Sequence, residues 1–80
     1  MVIKVLGSGC ANCQRLEALA SRAVDELGID AQVLKVTDIK DIMGYGVMST
    51  PGLVVDEKLV LAGRVPSYSE VVALLSRPSE

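Results

Sequence analysis

Gly7-Ser8-Gly9-Cys10-Ala11-Asn12-Cys13 follows the apolar run Val2-Ile3-Lys4-Val5-Leu6 and precedes a stretch of helical periodicity. It therefore reads as a glycine-flanked turn from a strand into a helix. It also holds both cysteines of the chain. Two thiols three positions apart lie about one turn from each other on a helix, close enough for a disulfide. A thiol at the first helical turn also meets unpaired backbone N–H groups and the positive end of the helix dipole. Both favour the thiolate, the form that attacks disulfides. Placement and spacing together point to redox chemistry at Cys10 and Cys13. Two thiolates at this spacing also suit Cu(I) or half of a tetrahedral zinc site, so a soft-metal carrier or sensor is the alternative.

From Cys10 to Leu27, the residues Leu16, Leu19, Ala20, Ala23, Val24 and Leu27 recur at three and four, with charged and polar residues on the other faces. This predicts an amphipathic helix ending at Gly28, where a left-handed cap is expected. Ala31 to Val36 reads as a second strand, and strand-helix-strand order implies a parallel pair with a right-handed crossover. Asp38 or Thr37 caps a short helix over Ile39 to Met43, which Gly44-Tyr45-Gly46 breaks. Leu53-Val54-Val55 and Leu59-Val60-Leu61-Ala62 flank Asp56-Glu57-Lys58 and predict a hairpin. Pro51 stands before the hairpin and cannot donate to a sheet ladder. Ser67-Tyr68-Ser69-Glu70 is a capping box ahead of Val71, Val72, Leu74 and Leu75, so the chain closes with a helix.

With 80 residues, 50% apolar and 22% charged, the chain has room for one core. Phe and Trp are absent and Tyr occurs twice, so that core is built from Val, Leu, Ile, Ala and Met. Met43 and Met48 read as core filler. Nucleic-acid binding by base stacking needs aromatic platforms, and a net charge of -2 with scattered Lys and Arg supplies no basic stripe. The start at Met1-Val2-Ile3-Lys4 shows no charged leader or cleavage site, and no apolar run reaches membrane-spanning length. The expectation is a cytoplasmic protein that engages neither membrane nor nucleic acid. In a reducing compartment, a lone C-x-x-C reads as redox-active or metal-binding rather than as a structural staple. Lys4 is the odd residue of the first strand. Its stem is expected to pack while its amine reaches the sheet end, the alternative being that its charge tunes a thiol. Arg64 and Tyr68 read as satisfied surface residues.

The order strand, C-x-x-C at a helix start, parallel strand, Thr-Pro, hairpin, closing helix is that of the thioredoxin fold. Four segments narrow the likeness: Val5 through Cys13, Lys35-Val36-Thr37-Asp38-Ile39, Tyr45 through Pro51, and Ala62-Gly63-Arg64-Val65-Pro66. Together they resemble the small thioredoxin-like proteins often called redox-active disulfide protein 2. The resemblance implies an α/β thioredoxin-like fold: a four-stranded mixed sheet, order β-α-β-α-β-β-α, with helices on both faces. The Cys10 helix and the last helix are expected on one face and the short helix on the other. Residues 1–77 are expected to form one domain, with 78–80 a frayed tail.

The same resemblance implies that Cys10 is the nucleophile, more exposed, and that Cys13, more buried, resolves the mixed disulfide. It also implies a cis peptide at Thr50-Pro51, and substrate contacts at Gly9, Met48, Ser49, Thr50, Pro51 and Gly63. The chain departs from better-known thioredoxins in lacking a Trp before Cys10 and in placing Ala11-Asn12 where they have Gly-Pro. It also has Lys4 at the position of their buried acidic residue. Expected partners are a protein or low-molecular-weight disulfide or dithiol substrate and a reductase. The chain is expected to be a monomer, with no cofactor and no resident metal. Copper-chaperone domains also place C-x-x-C after a first strand, but they end in a strand. A pure interaction module built on the loop from Met48 to Pro51, with Met43 and Tyr45, is the remaining reading.

Overall fold

A computed structural model describes residues 1–7, 9–47 and 49–76. The elements are β1 (Val2–Leu6), α1 (Ala11–Leu27), β2 (Gln32–Val36), α2 (Ile39–Gly44), β3 (Gly52–Val55), β4 (Lys58–Ala62) and α3 (Tyr68–Ser76). The four strands form one sheet in the order β2-β1-β3-β4. β1 runs parallel to β2 in the register Val2↔Gln32 to Leu6↔Val36 and antiparallel to β3 from Ile3↔Val55 to Leu6↔Gly52. β3 and β4 are the expected hairpin. The sheet is therefore mixed, and the element order is the one the sequence predicts.

Alternation along the central strand sorts the core into two layers. Ile3 and Val5 face α1 and α3, joining Leu16, Ala20, Ala23, Leu53, Leu61, Val71 and Leu75. Leu6 faces the other way, with Ile42 of α2, Val47 and Val54. The second layer is the thinner one, because α2 has only six residues and buries a single side chain, Ile42. Its Ile39 and Met43, one turn apart, are 67% and 60% exposed. Met43 is thus not core filler, and Met48 lies outside the described residues, as does 77–80. The edge strand β2 also presents Leu34, 43% exposed, beside Lys4 on this thin side.

Local boundaries follow from the caps. α1 begins one residue later than the periodicity suggests, because Cys10 is extended and its sulfur accepts the Cys13 N–H at 3.1 Å. Gly28 closes α1 in the left-handed conformation, its N–H donating to Val24 and Asp25 carbonyls. Asp38 caps α2 by accepting the Lys40 N–H at 2.8 Å. Gly44 is helical, so α2 runs one residue past the predicted end. The hairpin turn is Asp56-Glu57, both with positive φ, while Lys58 already belongs to β4. Two consecutive positive φ values give the turn the twist that matches paired strands. Ser67 Oγ accepts the Glu70 N–H at 3.2 Å, whereas the Glu70 carboxylate pairs with Arg64.

Candidate active site

Cys10 and Cys13 sit where β1 delivers the chain to the start of α1. They are joined as a disulfide with Cα atoms 5.0 Å apart, inside the range such a bond requires. Cys10 is exposed and Cys13 is 4% exposed, the order the resemblance implies. The difference comes from their positions on the helix. Cys10 is the N-cap, outside the helical cylinder, while Cys13 starts the buried stripe that continues to Leu16, Ala20 and Ala23. The first turn of α1 carries no acidic residue, so nothing within it offsets the positive end of the helix dipole at Cys10. The Cys13 N–H, already directed at the Cys10 sulfur, is a donor that a thiolate there can use.

The loop before β3 closes the site from the other side. The Thr50–Pro51 peptide bond is cis. Gly7 is the contact between this loop and the dithiol. A methyl group there would overlap the Cys13 sulfur and come within 3.1 Å of Cys13 Cβ and 3.7 Å of Thr50 Cβ. The Gly7 N–H is held by the Val36 carbonyl at 2.9 Å, which extends the β1–β2 pairing to the edge of the site. The Gly63 N–H donates to the Pro51 carbonyl at 2.8 Å, and a side chain at Gly63 would meet Ser49 Cβ at 3.4 Å. Ser49, Pro51 and Gly63 therefore form one cluster, and Thr50 joins it to Cys13 across Gly7. Ser49, Thr50 and Gly63 are exposed, and Pro51 is buried. Gly9 is exposed and its carbonyl accepts from Gln14 Nε2 at 3.3 Å. Met48 falls outside the described residues.

A cleft of about 70 Å³ opens beside Cys13 and includes Gly7, Gly9, Gln14, Glu17, Lys35 and Thr37 in its lining. None of Gly7, Glu17 and Lys35 was given a role at the site from the sequence, although Gly7 and Lys35 stand in the quoted motif segments. The signal for Glu17 was its place four residues after Cys13, on the same helix face. Lys35 lies opposite Val5 in the β1–β2 register and reaches Glu17 Oε2 at 3.4 Å.

Other residues singled out from the sequence are engaged elsewhere. Lys4 Nζ donates to Tyr45 Oη at 2.7 Å and to Glu57 Oε1 at 2.6 Å, and Tyr45 Oη donates to Glu57 Oε2 at 2.9 Å. Glu57 belongs to the hairpin turn, beside the start of β1, whereas the cysteines lie beyond its end. The Lys4 amine therefore points away from the dithiol. These hydrogen bonds, Glu57 first and then Tyr45, raise the Lys4 pKa, and the Lys4 bond lowers that of Glu57. Arg64 Nη1 donates to Glu70 Oε1 at 3.0 Å. Tyr68 donates to Glu26 and lies under Arg22, whose guanidinium carbon is 4.3 Å from the ring centre. The bond to Glu26 raises the Tyr68 pKa and lowers that of Glu26. Among the described residues, no group of three or more His, Cys, Asp or Glu side chains is placed to hold a metal ion.

Comparison with known proteins adds an independent finding. Residues 1–76 match the family described as thioredoxin domain. A thioredoxin of Methanothermobacter thermautotrophicus is 47% identical over 76 residues, covering 95% of this chain and 99% of that protein. A thioredoxin of Methanocaldococcus jannaschii is 41% identical over 71 residues, covering 89% of this chain and 81% of its own length.

Proposed function

The chain belongs to the thioredoxin-domain family, and from that membership and the geometry of its two cysteines we propose a thiol-disulfide oxidoreductase that works through Cys10 and Cys13. The observation that carries the reading is the asymmetry of the pair: an exposed sulfur at a helix N-cap beside a buried one on the same helix.

The reaction follows from that asymmetry. The Cys10 thiolate, favoured by the helix terminus and the Cys13 N–H, attacks one sulfur of a substrate disulfide. A Cys10–substrate bond forms, the substrate S–S bond breaks, and the departing sulfur leaves as a thiolate. Cys13 then attacks Cys10 Sγ, the protein disulfide closes, and the second substrate thiolate departs. Two electrons pass to the substrate. A reductase or small dithiol returns them by the reverse steps. Ser49, Thr50 and Gly63, exposed around the dithiol, offer backbone and side-chain contacts to an extended substrate segment, with Gly9 flanking. Substrates of this class are disulfide-bearing proteins or small disulfides. We place the protein in the cytoplasm as a monomer. No described helix is long and apolar enough to cross a membrane.

Single cysteine variants test the assigned roles. Cys10→Ser is expected to abolish exchange with a model disulfide, and Cys13→Ser to accumulate a stable mixed disulfide visible by mass spectrometry. Equal reactivity of the two variants would contradict the roles.

A further inference from the structure

α2 and the loop that follows it lie on the thin side of the sheet, with little apolar contact to hold them. Ile42 is the one buried side chain of α2, while Ile39 and Met43 face solvent. Val47 adds a second buried contact, against Leu6 and Val54. Tyr45 stands between these two anchors, closing α2 with its N–H on the Ile42 carbonyl at 3.2 Å. Its side chain makes the polar contact that ties the segment to the sheet. Tyr45 Oη accepts from Lys4 Nζ at 2.7 Å and donates to Glu57 Oε2 at 2.9 Å, and Lys4 Nζ closes the ring on Glu57 Oε1 at 2.6 Å. The Lys4 ammonium also lies 5.3 Å from the centre of the Tyr45 ring. Lys4 stands on β1, paired on both sides by β2 and β3, and Glu57 stands in the hairpin turn. Tyr45 is thus clamped by two elements of the sheet.

The clamped segment leads to the dithiol. It runs from Tyr45 to Pro51, whose carbonyl is fixed by the Gly63 N–H at 2.8 Å. Ser49 and Thr50, exposed beside the cysteines, are carried between these two ends. A buried contact such as Val47 keeps the segment on the core but is non-directional, whereas hydrogen bonds fix an orientation. We propose that Tyr45, clamped between Lys4 and Glu57, is a positioning residue that orients the loop presenting Ser49 and Thr50 to an extended substrate segment. The inference rests on the exchange reaction and the substrate contacts proposed above. A substrate that meets an ordered loop does not bear the cost of ordering it. The clamp points toward the start of β1 and the cysteines lie beyond its end, so its loss acts on substrate capture rather than on the thiols.

The test compares two disulfides in stopped-flow reaction with the reduced protein: a short unstructured peptide with a central cysteine, and N-acetylcysteine amide, each joined to thionitrobenzoate. The sulfur attacked and the leaving group are the same, so the ratio of the two rate constants reports recognition of the peptide. Tyr45→Phe is expected to lower that ratio about threefold to tenfold, the scale of ordering one side chain on binding. Lys4→Met should lower it in the same sense, and the double variant no further than Tyr45→Phe alone, because both act through one hydroxyl. Hydrogen exchange reads the intermediate step. The Tyr45 and Gly46 amides should lose more protection in Tyr45→Phe than its change in global stability accounts for. An unchanged ratio in Tyr45→Phe, or equal loss of rate with both disulfides, would overturn the inference. A wild-type protein that attacks the peptide no faster than the amide would contradict the substrate contacts on which it rests, and one that attacks neither would contradict the exchange reaction itself.

Discussion

Gly7→Ala separates the two redox states of the protein by a steric effect that the structure specifies. In the disulfide form, an alanine methyl overlaps the Cys13 sulfur, which its bond to Cys10 holds in place. In the dithiol form, rotation about the Cys13 Cα–Cβ bond can swing the sulfur into the adjoining cleft, leaving only the 3.1 Å approach to Cys13 Cβ, which both states share. Overpacking a well-filled site costs about 1–3 kcal/mol. If that cost falls on the oxidised form, the two-electron relation of about 30 mV per 1.4 kcal/mol gives a shift of about 20–60 mV. The sign is positive, because a destabilised disulfide is more readily reduced. Titrating wild type and variant in the same dithiol buffers, with urea unfolding of each redox form, measures both quantities. Equal destabilisation of the two forms with an unchanged potential would refute the assignment of Gly7 as the spacer of the Cys13 sulfur.

Two further expectations concern the scaffold. Leu16 is fully buried between α1 and the sheet, so Leu16→Ala should cost about 3 kcal/mol and lower Tm by roughly 12–24 °C; a loss under about 1 kcal/mol in urea unfolding would contradict that packing. At the hairpin turn, hydrogen bonds from Lys4 and then Tyr45 lower the Glu57 pKa. Their contribution is complete above the unfolded carboxyl value of about 4.3 and disappears as pH falls through the lowered folded value. The stability gap between wild type and Glu57→Gln should therefore narrow on acidification below about pH 4.3. A gap independent of pH would show that the carboxylate's charge adds nothing.

The order of elements was legible because each carries a short-range signal. Three-and-four periodicity marked α1, Gly28 its end, Asp38 the start of α2, and Ser67 with Glu70 the start of α3. The dithiol was equally local, since spacing and helix start lie within a few residues. Contacts between distant segments were not legible. Lys4 and Glu57 are separated by 53 positions, and Lys35 meets Glu17 only because the crossover lays α1 over β2. Periodicity alone does not select these partners. Met43 was misread for a related reason. An apolar residue on a helix of six residues is buried only if the facing layer is wide enough, and here Ile42 alone fills that contact. The first residue of α1 differed by one because the Cys10 sulfur serves as a cap acceptor, a role that periodicity does not report.

The central claim is that Cys10 and Cys13 form a working redox couple. Its most direct test is a redox titration of metal-free protein in dithiol buffers, with thiols trapped by a mass-shifting alkylator and disulfide occupancy read by mass spectrometry. The account predicts one reversible two-electron transition between about -180 and -300 mV, a window that brackets the potentials of thioredoxin and the glutaredoxins. No reversible transition in that window, with stoichiometric copper or zinc in the protein as first purified, would contradict it and assign the two thiols to metal handling.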